Sequence, residues 1–379
     1  MERTVSIKMG ADHDREFSEL AAVFVRAMND IVGVAWETDT FSSFRLYHLV
    51  YQHIRETYGL KSNHVSTAIG IVSQALLSGR TRAKRKGRRQ TKPNFVLPTI
   101  GYDLRTSKIT ADHCTLATLG GRVRIDYRLS GYQLRFLDGT WKIGSSKLVR
   151  RPDGDWYLNV FVSRDAPPPR SGGQVIGIDQ GIRHLAVTSD GQFVSSGELN
   201  RRTAQFRRNR GRLESKGTPA SRKRLRSLGR RENRFRDDCL HRAVKSILSR
   251  CDDVRIIVLE DLKRFERRYG RTLNRRLSNW ATGRFRDILS DKAEEVGITT
   301  DTGDPRYTSQ KCSRCGRVEK SNRDLQRHLY SCSCGNRLND DLNAGRNIRS
   351  NYLLSIGEAD GAFATAPNVT PEGQLSQGL

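Results

Sequence analysis

Apolar residues recur at helical spacing in the first part of the chain. The stripe that predicts the first helix consists of Phe17, Leu20, Ala21, Phe24, Met28 and Ile31. Residues 41–58 predict a second helix, and a third begins at Asn63, a favourable N-cap residue, and ends at Gly79. Residues 3–9 alternate in the manner of a strand. The pattern therefore predicts one strand followed by a helical domain.

The pattern changes to period two between residues 95 and 164. Trp156, Leu158 and Val160 share one face of a predicted strand, and several tight-turn signals separate the neighbouring strands. These elements predict a small β-barrel or sandwich. The run Pro167–Pro169 predicts a stiff linker and a domain boundary near residue 170.

In the second half of the chain, three short elements each carry a carboxylate at one end. Residues 175–181 and 254–261 predict strands that end in Asp179 and Glu260, and residues 339–348 predict a turn that carries Asp341 and opens a helix. Gly177 and Gly181 flank the first acid and would let other backbone, a metal or a phosphate come close. Carboxylates that meet at one point suit Mg²⁺, and two such ions support phosphodiester cleavage. The alternative is that these are ordinary strand-end acids.

Further strands and helices are predicted around these acids. Residues 185–194 predict two strands that continue from the first acid as a meander, and residues 201–250 predict two charged helices broken at Gly217-Thr218-Pro219. Residues 279–295 predict another helix. Residues 357–379 have no periodicity and predict a disordered tail.

The charge of the chain changes the functional picture. It has 67 Lys and Arg against 41 Asp and Glu, which gives a net charge of +26. Such a field favours a polyanion, with nucleic acid as the first candidate and a membrane surface as the alternative. No apolar stretch of about 18 residues and no signal-peptide pattern occur, so we expect a soluble, intracellular protein.

Two segments concentrate the positive charge. Residues 201–250 hold 18 Lys and Arg against four acids, and residues 80–92 hold no acid. Like charge at this density favours contact with phosphates, although a solvated helix pair and a solvated linker are the respective alternatives. The residues predicted to contact nucleic acid are Arg82, Lys84, Arg85, Lys86, Arg88, Arg89, Arg222, Lys223 and Arg224.

Four of the seven cysteines crowd into one short segment. Cys312 and Cys315 form a CxxC pair, and Cys332 and Cys334 form a CxC pair. Four thiolates at this spacing suit a structural Zn²⁺, although the second pair is one residue shorter than usual and His328 could replace one cysteine. Free or redox-active thiols are the alternative.

Several motifs resemble those of the TnpB proteins, transposon-encoded RNA-guided nucleases related to the type V CRISPR effectors. The residues 177–182 with Leu185-Ala186 resemble the first RuvC motif, and 258–262 resemble the second. The entry to the zinc ribbon is similar at 307–316. Asp341–Ala344 with 346–348 resembles the third motif, in which Asp341 rather than Asp340 matches the family's catalytic acid. Gln180 departs from the usual apolar residue, and the CxC pair departs from CxxC.

The resemblance implies a fold as well as an activity. It implies an α/β RuvC (RNase H-like) nuclease domain at residues 171–356 with a zinc ribbon inserted at 308–338. By layout alone, it implies a β-barrel wedge domain and a helical recognition domain inserted into it. The wedge domain would comprise residues 1–10, as its first strand, and 93–170, and the recognition domain 11–92.

The implied activity is RNA-guided cleavage of double-stranded DNA next to a short flanking motif. The resemblance implies that Asp179, Glu260 and Asp341 bind two Mg²⁺ and that the four cysteines bind Zn²⁺. Guide RNA and target DNA would be the partners, and a monomer is favoured. The protein would lie in the prokaryotic cytoplasm, associated with the nucleoid. The alternatives are a CRISPR-associated effector of the same fold, a nuclease-dead repressor and a strand-transferring transposase.

Overall fold

The chain divides into two units, one ending at Asp165 and the other beginning at Ala166. The computed structural model describes residues 1–97, 99–151, 154–261 and 282–358. Most of the predicted tail, 359–379, lies outside the described residues, as does the predicted start of the helix at 279. No helix among the described residues is long and apolar enough to cross a membrane.

The first unit combines antiparallel strands with a group of helices. Its strands are β1 (Glu2–Lys8), β2 (Thr99–Tyr102), β3 (Ser107–Ile109), β4 (His113–Ala117), β5 (Arg122–Asp126), β6 (Lys142–Arg150) and β7 (Trp156–Ser163). Its α-helices are α1 (Asp14–Glu37), α2 (Ser43–Tyr58), α3 (Ser62–Arg85) and α4 (Gly131–Leu134). The strands form two antiparallel sheets, in the orders β1-β7-β6-β2 and β3-β4-β5.

The periodicities of the sequence correctly identify the faces that form the core of this unit. The predicted stripe of α1 is buried from Phe17 to Ile31. In β7, Trp156, Leu158 and Val160 are buried while the residues between them are half-buried. Burial of these side chains is the main favourable term, because each removes apolar surface from water.

The predicted ends of α3 are wrong. The helix begins at Ser62, so that Asn63 lies inside it and donates a side-chain hydrogen bond to Thr106. It continues past Gly79 to Arg85, because a single glycine costs only about 1 kcal/mol in a helix whose other residues favour it. Gly87, with a φ of 59°, adopts the left-handed conformation that follows the helix end.

The second unit is built on a mixed sheet. Its strands are β8 (Gln174–Asp179), β9 (His184–Thr188), β10 (Phe193–Ser195), β11 (Val254–Glu260) and β12 (Thr299–Gly303), in the order β10-β9-β8-β11-β12. Three short strands, β13 (Arg323–Asp324), β14 (Leu329–Ser331) and β15 (Arg337–Asn339), form a separate antiparallel sheet. The helices described are α5 (Gly197–Lys216), α6 (Pro219–Leu248), α7 (Thr282–Glu294) and α8 (Asp340–Ser355). The meander β8-β9-β10 confirms the sequence prediction.

The break between α5 and α6 follows from local chemistry. Gly217, with a φ of 61°, ends α5 in the left-handed conformation. Thr218 caps α6 by accepting a hydrogen bond from the backbone nitrogen of Ser221 at 3.1 Å, and Pro219 occupies the first helical position. The predicted pair of charged helices is confirmed.

Helix α8 crosses strand β8 in very close contact. A Cβ atom at Gly177 would lie 2.3 Å from the carbonyl oxygen of Gly345 and 2.6 Å from the backbone nitrogen of Arg349. Only glycine fits this crossing, which confirms the predicted close approach of other backbone at Gly177. The crossing holds the first turn of α8 beside the end of β8.

Candidate metal centres

The three predicted carboxylates lie at the same edge of the mixed sheet. Asp179 is the last residue of β8 and Glu260 is the last residue of β11. These strands are parallel neighbours, with Ile178 opposite Leu259, so their final residues lie side by side. Asp341 is the second residue of α8, which packs against β8.

Electrostatics confirm that these carboxylates are neighbours. Burial raises the pKa of Asp179 well above its usual range, and the negative charges of Glu260 and Asp341 raise it further. Burial also raises the pKa of Glu260, against the opposing effects of Thr308 and Arg323. Arg323 supplies positive charge that partly offsets these increases in pKa. The oxygen-only donors of the cluster are the type that divalent magnesium prefers, so the residues fit such an ion.

The adjacent acids Asp340 and Asp341 have different environments. Asp340 has no exposed side-chain surface, and its Oδ2 accepts a hydrogen bond from Nε of Arg323 at 2.8 Å. Oδ2 of Asp341 lies 2.8 Å from Nδ1 of His184, and its Oδ1 lies 4.0 Å from Nη2 of Arg323. Asp340 is therefore held in an ion pair with Arg323, and of the two acids Asp341 has the larger electrostatic effect on Asp179.

The N-terminus of α8 explains the position of Asp341. Asn339 caps the helix, and its side-chain oxygen accepts hydrogen bonds from the backbone nitrogens of Asp341 at 3.0 Å and Leu342 at 3.2 Å. The predicted turn that opens a helix is confirmed. The positive end of the helix dipole favours a carboxylate at this place.

The four predicted cysteines converge on one point. The sulfur atoms of Cys312, Cys315, Cys332 and Cys334 all lie within 4.8 Å of one another. Two pairs, Cys312–Cys334 and Cys315–Cys332, are each separated by 3.7 Å. This distance is too long for a disulfide, and it matches the edge of about 3.8 Å of a tetrahedron with metal–sulfur bonds of about 2.3 Å. The cluster is suited to hold a metal ion.

Local hydrogen bonds prepare one thiol of this cluster for metal binding. Although burial opposes the change, backbone hydrogen bonds from Cys315 and Arg314 and the side chain of Asn336 lower the pKa of Cys312 to about 7. His328 lies elsewhere, with its Nδ1 3.6 Å from Oδ1 of Asp340. The CxC pair therefore supplies both of its cysteines, and no histidine is required.

The two centres are connected through α8. The side-chain NH₂ of Asn343 donates a hydrogen bond to the carbonyl oxygen of Lys311 at 2.8 Å. Its side-chain oxygen accepts a hydrogen bond from the backbone nitrogen of Ser313 at 3.0 Å. Asn347 is fully buried and donates to the carbonyl oxygens of Thr308 at 2.8 Å and Lys311 at 2.6 Å. The helix that carries Asp341 therefore also fixes the segment leading into the cysteine cluster.

Helices α5 and α6 form a basic groove of about 580 Å³. We call it the hairpin groove, and the positively charged residues that line it are Arg212, Lys216, Arg224 and Arg231. Of the three residues predicted on α6, Arg224 lines the groove, and Arg222 and Lys223 are exposed outside its lining. The groove therefore presents four positively charged side chains in one place.

The predicted basic residues of the first unit are all exposed. Arg82, Lys84 and Arg85 lie in the last turns of α3, where the sequence allowed a flexible linker, and Lys86, Arg88 and Arg89 follow it. A helix presents these charges at fixed spacing. Contact of these residues with phosphates stays a prediction.

Three residues at the carboxylate edge were not found from the sequence. They are His184, Thr308 and Arg323, and each interacts with one of the acids. Thr308 lies inside the motif at 307–316 and His184 lies directly before Leu185 of the first motif, but no local pattern pairs either of them with a distant acid.

Two family models match adjoining parts of the chain. The model described as probable transposase matches residues 157–289, which include Asp179 and Glu260. The model described as Cas12f1-like, TNB domain matches residues 283–348, which include the four cysteines and Asp341. Both candidate centres therefore lie within recognised family regions.

Solved structures share the fold. The protein in the cryo-EM structure of the Cas12f1-sgRNA-target DNA complex matches with a TM-score of 0.60 at 12% identity, over 92% of this chain and 98% of that chain. The mini-RNA-guided endonuclease CRISPR-Cas_phi3 matches with a TM-score of 0.55 at 11% identity, over 92% of each chain. The fold is that of the Cas12-type effectors.

Curated relatives match a smaller part of the chain. The CRISPR-associated endodeoxyribonuclease Cas12f1 of Sulfoacidibacillus thermotolerans is 29% identical over 238 residues, which cover 56% of this chain and 54% of that protein. The TnpB-like protein of Aquifex aeolicus is 35% identical over 105 residues, which cover 27% of this chain and 34% of that protein. The match thus spans about half of the first relative and a third of the second. The chain is therefore similar to these proteins over parts of its length, in the regions that the two family models also match.

Proposed function

We propose that this chain is an RNA-guided DNA endonuclease that cleaves double-stranded DNA beside a short flanking motif. The observation that carries the proposal is the meeting of Asp179, Glu260 and Asp341 at one sheet edge, with the pKa of Asp179 raised by the other two. In this proposal the second unit contains a RuvC (RNase H-like) domain with an inserted zinc ribbon. The first unit contains the wedge and recognition domains.

The carboxylates have a defined role in this activity. Asp179, Glu260 and Asp341 would hold two magnesium ions, which when bound activate water and stabilise the leaving oxygen of a phosphodiester. Arg323 keeps a positive charge 4.0 Å from Asp341, which limits the repulsion among the acids before they bind their ligand. Since all three acids are present and adjacent, a nuclease-dead repressor is disfavoured.

The cysteine cluster would hold a structural zinc ion. We expect purified protein to contain about one zinc per chain and Cys312→Ser to lose it, because a tetrahedral site needs all four ligands. Such an ion contributes on the order of 10 kcal/mol of binding free energy to local folding. Elemental analysis measures the zinc, and Cys239→Ser, at a cysteine outside the cluster, is the matched control. Zinc-free wild-type protein, or equal zinc in both variants, would contradict this assignment.

The nucleic-acid partners follow from charge and from the relatives. The Cas12f1 structure that shares the fold is a complex with guide RNA and target DNA. Here the hairpin groove and the end of α3 would bind the phosphates of the guide RNA and its duplex with the target. Association with the nucleoid would follow from such binding.

The test of the function begins with RNA. The protein is expressed with its flanking genomic DNA and purified at low salt, and the RNA that accompanies it is sequenced. The substrate is a plasmid library in which a target that matches the variable end of this RNA lies beside a randomised flanking sequence. Members of this library should be cut in the presence of Mg²⁺ and left intact in EDTA. A scrambled target is the control. Absence of bound RNA, or cleavage independent of the match, would refute guidance by RNA.

A CRISPR-associated effector is the second candidate, favoured by the likeness to Cas12f1 proteins. The same RNA sequences distinguish the two. Guides that carry a constant repeat and many different spacers would indicate a CRISPR array. A single guide that reads outward from the end of a mobile element would indicate the transposon-encoded class.

A further inference from the structure

Two side chains outside the carboxylate cluster each hold one oxygen of a proposed metal ligand. Oγ1 of Thr308 donates a hydrogen bond to Oε1 of Glu260 at 2.5 Å. Nδ1 of His184 lies 2.8 Å from Oδ2 of Asp341. The other oxygen of Asp341, Oδ1, lies 4.0 Å from Nη2 of Arg323.

Thr308 is rigidly placed for this contact. It is only 3% exposed. Its carbonyl oxygen accepts a hydrogen bond from the side-chain NH₂ of Asn347, which is fully buried in α8. The alternative acceptor of its hydroxyl is the neutral carbonyl oxygen of Pro305, at 3.1 Å. Since a hydroxyl carries one hydrogen, the shorter bond to the charged oxygen of Glu260 is the favoured one.

His184 is held from two sides. Its carbonyl oxygen accepts a hydrogen bond from the backbone nitrogen of Gly181 at 2.9 Å. This hydrogen bond closes the turn that follows Asp179. Its ring meets the ring of Phe193 edge to face, with centroids 5.2 Å apart. The tautomer of His184 that carries its hydrogen on Nδ1 can donate to the carboxylate oxygen of Asp341. The turn after the first acid therefore orients the third.

We propose that Thr308 and His184 are positioning residues that fix Glu260 and Asp341 for divalent-cation binding. The inference rests on the proposed function of the carboxylate edge. Hydrogen bonds to the outer oxygens of metal-binding carboxylates orient them and remove the rotational freedom that metal binding would otherwise have to restrict. Thr308 also connects Glu260 to α8, which carries Asp341, so the two acids share one support.

The experiment compares variants that differ in the hydrogen-bond donor and little else. Thr308→Val keeps the size of the side chain and removes the hydroxyl, whereas Thr308→Ser keeps the hydroxyl. His184→Phe keeps a ring against Phe193 and removes the donor, whereas His184→Asn keeps an NH close to the position of Nδ1. All are made in the full chain and purified with their RNA.

The readouts are binding of Mn²⁺, followed by electron paramagnetic resonance, and the dependence of cleavage rate on Mg²⁺ concentration. We expect Thr308→Val and His184→Phe to need about 10- to 100-fold more metal for half-maximal binding and cleavage, the usual effect of removing such a partner. At saturating Mg²⁺ the cleavage rates of these two variants should return close to the wild-type rate. Thr308→Ser and His184→Asn should stay close to wild type in both assays.

Other outcomes overturn the inference. Wild-type metal affinity in Thr308→Val and His184→Phe would show that the donors do not position the acids. Equal losses in the Ser and Asn variants would show that packing, and not the hydrogen bond, is responsible. If Thr308→Val does not fold, as judged by thermal unfolding in EDTA, Thr308→Ala removes the same hydroxyl without adding a methyl group beside Glu260. A wild-type protein that needs neither Mg²⁺ nor Asp179 would instead refute the proposed function itself.

Discussion

Replacement of Asp179 by alanine is expected to reduce DNA cleavage by about a thousandfold or more while RNA and DNA binding persist. Loss of one ligand of a two-metal site removes several kcal/mol of transition-state stabilisation, and each 1.4 kcal/mol is about tenfold in rate. The basic surfaces that would bind nucleic acid are untouched, so binding should change little. Single-turnover cleavage and filter binding on the same preparation measure the two effects.

Replacement of Asp179 is expected to lower activity but not the stability of the metal-free protein. Because the folded state raises the pKa of Asp179, the folded protein retains a proton that the unfolded chain releases, so metal-free wild type loses stability as the pH rises above the usual carboxyl range. Asp179→Asn removes this repulsion and should unfold at an equal or higher temperature than wild type in EDTA at pH 7. Mg²⁺ should stabilise wild type but not the variant.

Asp252→Ala provides the control, since Asp252 is an exposed acid of the same unit away from the sheet edge that carries the cluster. It should cut DNA at the wild-type rate and keep its stabilisation by Mg²⁺. Cleavage by Asp179→Ala at the wild-type rate would remove this residue from the active site.

Reversal of charge in the hairpin groove is expected to weaken RNA binding by about a hundredfold and to reduce the salt dependence of binding. The variant carries Arg212→Glu, Arg224→Glu and Arg231→Glu. Each phosphate contact contributes about one to the slope of log affinity against log salt concentration, so the slope should fall by about three. Titrations of guide RNA at several salt concentrations measure both quantities.

A matched variant distinguishes the effect of charges in the hairpin groove from the effect of the protein's net charge on RNA binding. Arg222→Glu, Lys223→Glu and Arg226→Glu change the net charge by the same amount at exposed positions of α6 outside the groove lining. We expect this variant to lose less affinity and to keep more of the slope. Equal losses would assign RNA binding to the overall charge, and unchanged binding in both would place the guide RNA on another surface. Neither variant alters a residue of the two metal centres.

Local sequence patterns predicted most individual elements of the second unit. The strand ending at Asp179, the strand ending at Glu260 and the helix opening near Asp341 all occur where expected. Each depends on short-range properties: an apolar run, a capping asparagine, a left-handed glycine. The four cysteines were likewise predictable, because a ligand pair separated by one or two residues has only a narrow range of geometries.

Local signals failed where long-range packing outweighed them. Gly79 resembled a helix end, yet α3 continues through it, because its cost is small beside the burial of the helix's apolar face. His328 had the right chemistry for a zinc ligand, yet it lies beside Asp340. In the first unit, the alternation of β7 predicted which residues face the core, whereas the choice between a barrel and separate sheets was left open by the sequence.

The sequence by itself therefore determined most of the elements, the charge and the candidate metal ligands. Tertiary structure decided how they meet. Thr308 and Glu260 are 48 residues apart in the chain, and His184 and Asp341 are 157 apart. Periodicity and capping act over a few residues, whereas the parallel pairing of β8 with β11 and the crossing of α8 at Gly177 depend on long-range packing. That packing places three repelling carboxylates together, and it selects which hydroxyl and which imidazole orient them.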